Sequence, residues 1–308
     1  MVKTMSDKKQ LAVVLGSTGN MAFAVANVVI ALKKHFKPDF DLIIYCDNAF
    51  SESDRNLISA IIPANFIEYK YFVGEKEKFD STTINRFTTL AFSRYECFRL
   101  LDKYKKTVWL DIDLLIRNDI SHLINIDDND IALYYRLGVL KNEFLIPLEI
   151  EGCNLDVKSF NSGVIVFSDS IKNNHDLADW CYKKTVEYAP HLKCPDQAII
   201  NLLIQVFNLK TKQLDVNFNC HPAYPESKYA AVLHPYSLEK FWNFYNYKEW
   251  NENYKQWLKM GGSPYLGKKF NFLEKILIYI KETFFPEAPD PFRHPKKFVK
   301  WIISSQRG

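Results

Sequence analysis

The stretch Thr107-Val-Trp-Leu-Asp-Ile-Asp-Leu-Leu-Ile116 decides how this chain is expected to fold. Its first four residues have the character of a strand that is buried on both faces. We expect the strand to end at Asp111, because a fully buried strand does not carry two charges on one face without a partner. Asp111 and Asp113 then lie at the carboxyl end of a strand, where they can meet a divalent cation and the phosphates it bridges. A solvated turn is the plain alternative, and the apolar residues on both sides weaken it.

Outward from this stretch, short apolar runs alternate with helical patterns. The predicted strands cover residues 11–15, 41–46, 66–72, 107–110, 131–135 and 163–167. The predicted helices cover residues 21–34, 88–104, 178–188 and 197–207, and one more helix opens at Ser51 with capping-box spacing to Asp54. Gly16-Ser-Thr-Gly-Asn20 is expected to be a turn after the first strand. The alternation favours an α/β fold with a mostly parallel sheet.

Composition excludes several classes of protein. The chain has 308 residues and is 47% hydrophobic, which is enough for one large core. The six cysteines form no C-x-x-C pair, which argues against zinc ribbons and thioredoxin chemistry, and we expect reduced core thiols in a cytoplasmic protein. The N-terminus is polar and has no signal-peptide apolar region. Residues 1–263 are close to neutral in net charge, so they offer no broad basic surface for nucleic acid.

Two segments carry hydrogen-bonding side chains that suit sugar hydroxyls. Phe160-Asn-Ser-Gly-Val164 is expected to be a turn that places an amide and a hydroxyl at the head of a strand, and a plain turn is the better interpretation of this segment alone. In Pro195-Asp-Gln-Ala198, Asp196 and Gln197 stand side by side at a predicted helix start. Asp196 is equally well suited to cap that helix.

A third segment, His234-Pro-Tyr-Ser-Leu-Glu-Lys-Phe-Trp242, combines a histidine with a lysine. His234 could complete a metal site, and Lys240 could pair with a phosphate. A lone histidine is usually structural, so this segment has little weight in isolation.

Together, these segments resemble in order and spacing the motif series of the family 8 retaining glycosyltransferases. This family includes bacterial lipooligosaccharide galactosyl- and glucosyltransferases and relatives of glycogenin. Arg94, 17 residues before Asp111, also matches an arginine of the family pattern. The resemblance covers about residues 11–242. It implies a single Rossmann-like, nucleotide-sugar-binding domain of the GT-A type, with a mixed, mostly parallel sheet.

The resemblance also implies a role for each matching residue. The implied metal ligands, for Mn²⁺ or Mg²⁺, are Asp111, Asp113 and His234. The implied contacts with a UDP-sugar donor are Gly16, Ser17, Thr18, Asn20, Arg94, Asp111, Ile112, Asn161, Ser237 and Lys240. Asp196 and Gln197 are the implied catalytic residues, because the Asp196 carboxylate and the Gln197 carbonyl can supply electron density to a cationic sugar. The sequence departs from the pattern twice, with Thr18 where a carboxylate usually holds the base and Ser237 where glycine is usual.

The expected function is metal-dependent transfer of a hexose, glucose or galactose, from a UDP-sugar to a glycan or lipooligosaccharide acceptor with retention of configuration. A non-catalytic nucleotide-sugar-binding protein and a self-glycosylating primer protein remain alternatives. A D-x-D phosphohydrolase is discounted, because that class carries its aspartate pair near the N-terminus.

The chain is expected to divide at Gly262 into a catalytic domain, residues 1–262, and a helical tail, residues 263–308. Residues 264–308 hold nine Lys or Arg and four Asp or Glu, a net charge of +5, whereas the whole chain carries +4 and the remainder therefore about −1. An apolar stripe at helical spacing comprises Leu273, Ile276, Leu277, Ile280 and Phe284. Cations mixed with aromatics suit an anionic membrane surface at the inner face, although a helix packed on the domain would fit the stripe equally well.

Overall fold

The computed structural model describes residues 8–70, 78–81, 83, 87–236, 239–284, 296 and 298. The strands are β1 (Lys9–Ser17), β2 (Asp41–Cys46), β3 (Ala64–Glu68), β4 (Tyr104–Leu110), β5 (Leu115–Ile116), β6 (Ile131–Val139), β7 (Lys158–Ser168), β8 (Thr211–Gln213) and β9 (Val232–Leu233). The α-helices are α1 (Ala22–His35), α2 (Glu52–Ile61), α3 (Glu96–Leu100), α4 (Asn174–Tyr188), α5 (Pro195–Val206), α6 (Lys248–Lys259) and α7 (Phe272–Phe284).

Among the described residues, seven strands form one sheet in the order β3-β2-β1-β4-β7-β6-β8. The pairs β2–β3, β1–β2, β1–β4 and β6–β8 are parallel, and β7 is antiparallel to both of its neighbours. The expectation of an α/β fold with a mixed, mostly parallel sheet is therefore confirmed. The carboxyl ends of β1, β2 and β4 meet at one edge, which is where open α/β sheets bind ligands.

Apolar strands and one apolar helix form much of the hydrophobic core. Residues 11–15 of β1 and 22–32 of α1 are almost fully buried. The Asn27 side chain of α1 donates to the backbone carbonyl of Trp250 at 3.1 Å, so α6 packs against α1. The predicted cap of α2 is confirmed, since the Ser51 side chain accepts the Asp54 N–H at 3.1 Å.

Three predicted elements differ in their bounds. Gly16 and Ser17 belong to β1 and not to a turn, because their pairing with Tyr45 and Cys46 of β2 extends the strand. The single helix predicted over 88–104 is a 3₁₀ helix (Thr89–Tyr95) followed by α3, and pairing of Tyr104 with Lys9 recruits Tyr104 into β4. The strand predicted over 66–72 is β3, and residues 71–72 lie outside the described residues.

The chain divides into two compact units. The first holds residues 1–236 and 247–265, and the second holds residues 237–246 and 266–308. Within the first unit, Ser263 donates its hydroxyl to Asp54 at 2.7 Å, and the Tyr265 N–H donates to the Tyr254 hydroxyl at 2.9 Å. Among the described residues, no helix is both long and apolar enough to cross a lipid bilayer.

Candidate functional site

Asp111, Asp113 and His234 form a compact cluster directly after β4. One potential ligand atom from each residue lies within 4.8 Å of the other two. His234 Nε2 is 3.3 Å from Asp113 Oδ1 and 3.7 Å from Asp111 Oδ2. The His234 side chain is 5% exposed, whereas those of Asp111 and Asp113 are 24% and 15% exposed. The cluster is therefore open on the side of the carboxylates.

Pairing of the two short strands β5 and β9 explains why His234 lies next to the aspartates. The apolar residues after Asp113 form β5, which pairs antiparallel with β9, with Leu115 opposite Leu233. His234 directly follows β9, so this pairing places it beside the residues that precede β5. The apolar residues that follow Asp113 therefore help to place His234 beside the two aspartates.

One oxygen of Asp111 is bonded to the protein and the other points to His234. Oδ1 accepts from Trp109 Nε1 at 2.8 Å and from Arg94 Nη2 at 3.1 Å. Oδ2 is the atom nearer to His234. Burial raises the pKa of Asp111; Arg94 and His234 oppose the rise and Asp113 adds to it. A cation at Oδ2 would offset this cost of keeping two neighbouring carboxylates charged.

Gly163 leaves the space in which the cluster assembles. A Cβ atom at this position would lie 2.0 Å from His234 Cε1, 2.6 Å from His234 Nδ1 and 2.9 Å from Asp111 Oδ2. The Gly163 carbonyl also accepts the Asp111 N–H at 2.8 Å. A side chain would displace the histidine or the aspartate, so glycine is required here by contact rather than by backbone angle.

Asn161, Ser162 and Gly163 lie inside β7 and do not form the predicted turn. Antiparallel pairing places Asn161 opposite Tyr134 of β6, and this pairing outweighs the turn preference of Asn, Ser and Gly. The Asn161 side chain is buried; Oδ1 accepts the Gly163 N–H at 2.9 Å, and Nδ2 donates to Gln197 Oε1 at 3.2 Å.

Asp196 and Gln197 lie in the first turn of α5. Cys194 is the N-cap residue and Pro195 the first helical residue, so the alternative role of Asp196 as a cap is wrong. Asp196 Oδ2 instead accepts the Ser162 hydroxyl at 2.8 Å and lies 2.6 Å from Arg94 Nη1. The aspartate is held by charge and by β7, and not by its own helix terminus.

The oxygen of Gln197 is already bonded, whereas its nitrogen is not. Oε1 accepts the Ser162 N–H at 3.3 Å as well as the Asn161 amide. Nε2 is buried and has no hydrogen-bond partner among the described residues. Both lone pairs of the carbonyl are therefore occupied, and the amide N–H₂ is the group that remains for a ligand.

The carboxyl end of β1 and the turn that follows it border the same cluster. A Cβ atom at Gly16 would lie 2.6 Å from the Trp109 ring, so this backbone packs directly on the tryptophan that bonds Asp111. Ser17 is buried, half-buried Thr18 donates its hydroxyl to the Asn20 side chain at 2.6 Å, and the Gly19 N–H donates to Asp47 Oδ1 at 2.8 Å. A carboxylate is thus present at this edge, supplied by the residue after β2.

The remaining predicted residues are placed as follows. Ile112 is half-buried in the turn between Asp111 and Asp113. Lys240 lies in the second unit, where its N–H donates to Asn243 Oδ1 at 2.7 Å. Ser237 lies outside the described residues. The roles expected of Ser237 and Lys240 stay predictions.

Trp109 and Asn219 also lie in this region, and the sequence motifs gave neither of them a role. Trp109 is two residues before Asp111, so the period of a strand places both on one face, and that spacing could have indicated it. Asn219 is fully buried and accepts at Oδ1 from His234 Nδ1 at 2.9 Å. It directly follows a short 3₁₀ helix (Val216–Phe218), and nothing in the local pattern indicates it.

The arrangement fits a divalent metal ion. Two carboxylates and one imidazole, with an open side, are ligand types that hold divalent metal ions in proteins, and Gly163 keeps the space between them clear. Next to this cluster, Arg94, Asn161 and Gln197 offer buried hydrogen-bonding groups. The site can therefore hold a divalent metal ion beside a polar ligand.

The sequence matches the family model described as glycosyl transferase family 8 over residues 12–254. No curated protein sequence is significantly similar to this chain. Among solved structures, the galactosyltransferase LgtC in complex with donor and acceptor sugar analogs has a TM-score of 0.61 and 16% identity, over 81% of this chain and 99% of that one.

Two further structures are similar. The apo structure of the bifunctional glycosyltransferase WbbM has a TM-score of 0.61 and 16% identity over 84% of this chain, and this chain spans about half, 52%, of that protein. The apo glycosyltransferase GlyE of Streptococcus pneumoniae has a TM-score of 0.53 and 15% identity, over 83% of this chain and 64% of that one. At these identities the likeness shows a shared fold, which is the GT-A fold.

Proposed function

Because this chain belongs to glycosyl transferase family 8, we propose that it transfers a hexose from a UDP-sugar to a glycan or lipooligosaccharide acceptor, with a divalent metal ion and with retention of anomeric configuration. The single observation that carries the proposal is the Asp111–Asp113–His234 cluster at the carboxyl edge of the sheet. Glucose and galactose are the proposed sugars, and the complex of LgtC with donor and acceptor sugar analogs supports the two-substrate reaction.

The reaction separates charge at the sugar–phosphate bond. A divalent cation held by Asp111, Asp113 and His234 would supply Lewis-acid stabilisation of the negative charge on the departing diphosphate. The protein's own contribution is to hold the three ligands close together before substrate arrives, through the β5–β9 pairing and the space at Gly163. Such preorganisation lowers the barrier because little rearrangement is needed during the reaction.

The groups beside the cluster are proposed to orient the donor sugar. Arg94, Asn161 and Asp196 are buried in one hydrogen-bonded network, and Gln197 Nε2 is its unbonded end. Gln197 is therefore proposed to donate to a hydroxyl or ring oxygen of the sugar. Gly16 to Asn20 are proposed to line the nucleoside, with Asp47 as the carboxylate of this edge.

A donor panel tests the proposed activity. UDP release from UDP-glucose and UDP-galactose is measured with Mn²⁺ and with EDTA, and proton NMR of the first product reports its anomeric configuration. We expect release only with metal and a retained anomer. UDP binding without turnover, for every donor and acceptor tested, would favour the alternative of a non-catalytic binding protein. Intact-mass gain of the protein itself would favour the primer alternative.

We also propose that the second unit attaches the cytoplasmic enzyme to the inner face of an anionic membrane. Phe272, Leu273 and Leu277 on α7 are exposed, which supports a partner for this helix. Most of the basic segment beyond residue 284 lies outside the described residues. The test is sedimentation with anionic vesicles at low salt, using a truncation after Tyr265, because Ser263 and Tyr265 bond to the first unit. Equal binding by the truncated and full chains would refute the attachment.

A further inference from the structure

Asn219 forms hydrogen bonds both to His234 of the Asp111–Asp113–His234 cluster and to the buried Asn161 amide of β7. Its Oδ1 lies 2.9 Å from His234 Nδ1, and its Nδ2 lies 2.8 Å from Asn161 Oδ1. Asn219 is fully buried, as is nearly all of His234. Tyr236 contacts both residues. Its hydroxyl donates to the backbone carbonyl of Asn219 at 2.7 Å, and its ring packs edge-on against the His234 ring with 4.8 Å between the ring centroids.

Two backbone N–H groups determine which way every amide of this network points. A backbone N–H can only donate, so the atom of Asn161 that meets the Gly163 N–H is Oδ1, and the atom of Gln197 that meets the Ser162 N–H is Oε1. The Asn161 amide then has Nδ2 towards Gln197 Oε1, which agrees with both assignments. These hydrogen bonds therefore determine the orientation of both side-chain amides, Asn161 and Gln197.

The same logic extends to the histidine. Asn161 Oδ1 can only accept, so the Asn219 atom facing it is Nδ2 and the other is Oδ1. Asn219 Oδ1 can only accept as well, so His234 Nδ1 must carry a proton. In the neutral ring this leaves the lone pair on Nε2, the atom that lies 3.3 Å from Asp113 Oδ1.

We propose that Asn219 is a positioning residue that holds His234 in the Nδ1–H tautomer and so directs Nε2 to a metal ion. This inference rests on the proposed metal site. A metal ligand of this kind is commonly oriented by an acceptor on its other ring nitrogen, and loss of that acceptor typically weakens metal binding by about 10- to 100-fold. Here the acceptor is an amide whose own direction is set by strand β7.

The tautomer can be measured on the unmodified protein without metal. Long-range ¹H–¹⁵N NMR at pH 9, with the His234 signal identified by its loss in His234→Gln, distinguishes the two neutral rings. We expect the proton on Nδ1 and a bare Nε2. A neutral His234 with its proton on Nε2 would overturn the inference, whatever the variants below show.

Mn²⁺ binding tests the consequence without relying on activity. Mn²⁺ alone is titrated into the full chain and followed by EPR. Asn219→Leu should weaken binding about 10- to 100-fold, whereas Asn219→Asp, which keeps an oxygen for the Nδ1–H, should restore most of the affinity. Asn217→Leu is the matched control, because Asn217 is two residues away and accepts the Ala231 N–H at 2.8 Å. It should bind Mn²⁺ as the unmodified protein does.

The outcomes separate this inference from the proposed function. Wild-type affinity in Asn219→Leu, or equal losses in Asn219→Leu and Asn219→Asp, contradicts the role of Asn219. If Asn219→Leu does not fold, Asn219→Asp and the tautomer measurement still decide. Failure of the unmodified protein to bind Mn²⁺ contradicts the metal site instead, and leaves the NMR result as the test of Asn219.

Discussion

Arg94 Nη1 lies 2.6 Å from Asp196 Oδ2, and each of these side chains is 5% exposed. The same guanidinium donates to the Ser162 carbonyl at 2.6 Å and to Asp111 Oδ1 at 3.1 Å. The Arg94 guanidinium therefore connects the Asp111–Asp113–His234 cluster, β7 and the first turn of α5. Removal of either carboxylate would leave the buried guanidinium less well neutralised, which lowers stability.

The first prediction concerns the stability of this ion pair. Asp196→Ala should lower the free energy of unfolding by about 3–5 kcal/mol, because it leaves a buried guanidinium with one of its two anions. Loss of a helix cap would cost only about 1 kcal/mol. Urea unfolding measures the difference, with exposed Asp128→Ala as a control that should change little. A loss near 1 kcal/mol would argue against the ion pair.

The second prediction separates the two ends of the Gln197 amide. Gln197→Glu keeps Oε1 for its two donors but replaces the unbonded Nε2 with an oxygen. If Nε2 donates to the sugar, Gln197→Glu and Gln197→Ala should both reduce kcat more than they weaken UDP binding. Steady-state kinetics with UDP titrations provide the comparison. Near-normal kcat in Gln197→Glu would show that the nitrogen is not needed.

The third prediction concerns the space at Gly163. Gly163→Ala should displace His234, whose Cε1 would lie 2.0 Å from the new Cβ, and should weaken Mn²⁺ binding by about 10-fold or more. Ser168→Ala at the far end of β7 serves as the control and should bind Mn²⁺ normally. Unchanged affinity in Gly163→Ala would mean that His234 does not take part in the metal site.

The fourth prediction concerns the cysteines, all of which are thiols. Cys46, Cys97, Cys181 and Cys220 are buried, and Cys153 and Cys194 are partly exposed. Burial also raises the pKa of Cys220 to about 11, so little thiolate forms near pH 8. Iodoacetamide at pH 8 should label Cys153 and Cys194 well before the four buried thiols, as read by peptide mass spectrometry. Early labelling of Cys220 would indicate that the region behind His234 opens readily.

The fold followed from the sequence where one signal dominated. Leu11 to Leu15 and Val108 to Leu110 were recognisable because strands that are buried on both faces are continuously apolar. Asn161 to Gly163 were assigned to a turn because these residue types prefer turns, and the antiparallel partners on both sides of β7 reversed that preference. Such a reversal depends on tertiary pairing, which local composition does not contain.

In the candidate site, the two aspartates were the residues that the sequence indicated most directly. Asp111 and Asp113 stood out because charges at the end of a buried strand need a reason. The amide that orients His234 did not stand out, since Asn219 reaches His234 only after β9 has paired with β5. The bonds that occupy Gln197 Oε1 and Asp196 Oδ2 were likewise invisible, because their donors come from β7 and from Arg94.

The fifth prediction tests the central claim, that Asp111, Asp113 and His234 hold a metal ion for glycosyl transfer. UDP release is measured for the unmodified protein, for Asp113→Asn and for the exposed control Asp128→Asn, each with saturating Mn²⁺ and with EDTA. We expect EDTA to abolish release and added Mn²⁺ to restore it. A thermal unfolding transition first checks that Asp113→Asn is folded. UDP release by Asp113→Asn should then be slower by about 10²-fold or more, and release by Asp128→Asn should be unchanged. Full activity of Asp113→Asn, or of the unmodified protein in EDTA, would contradict the claim.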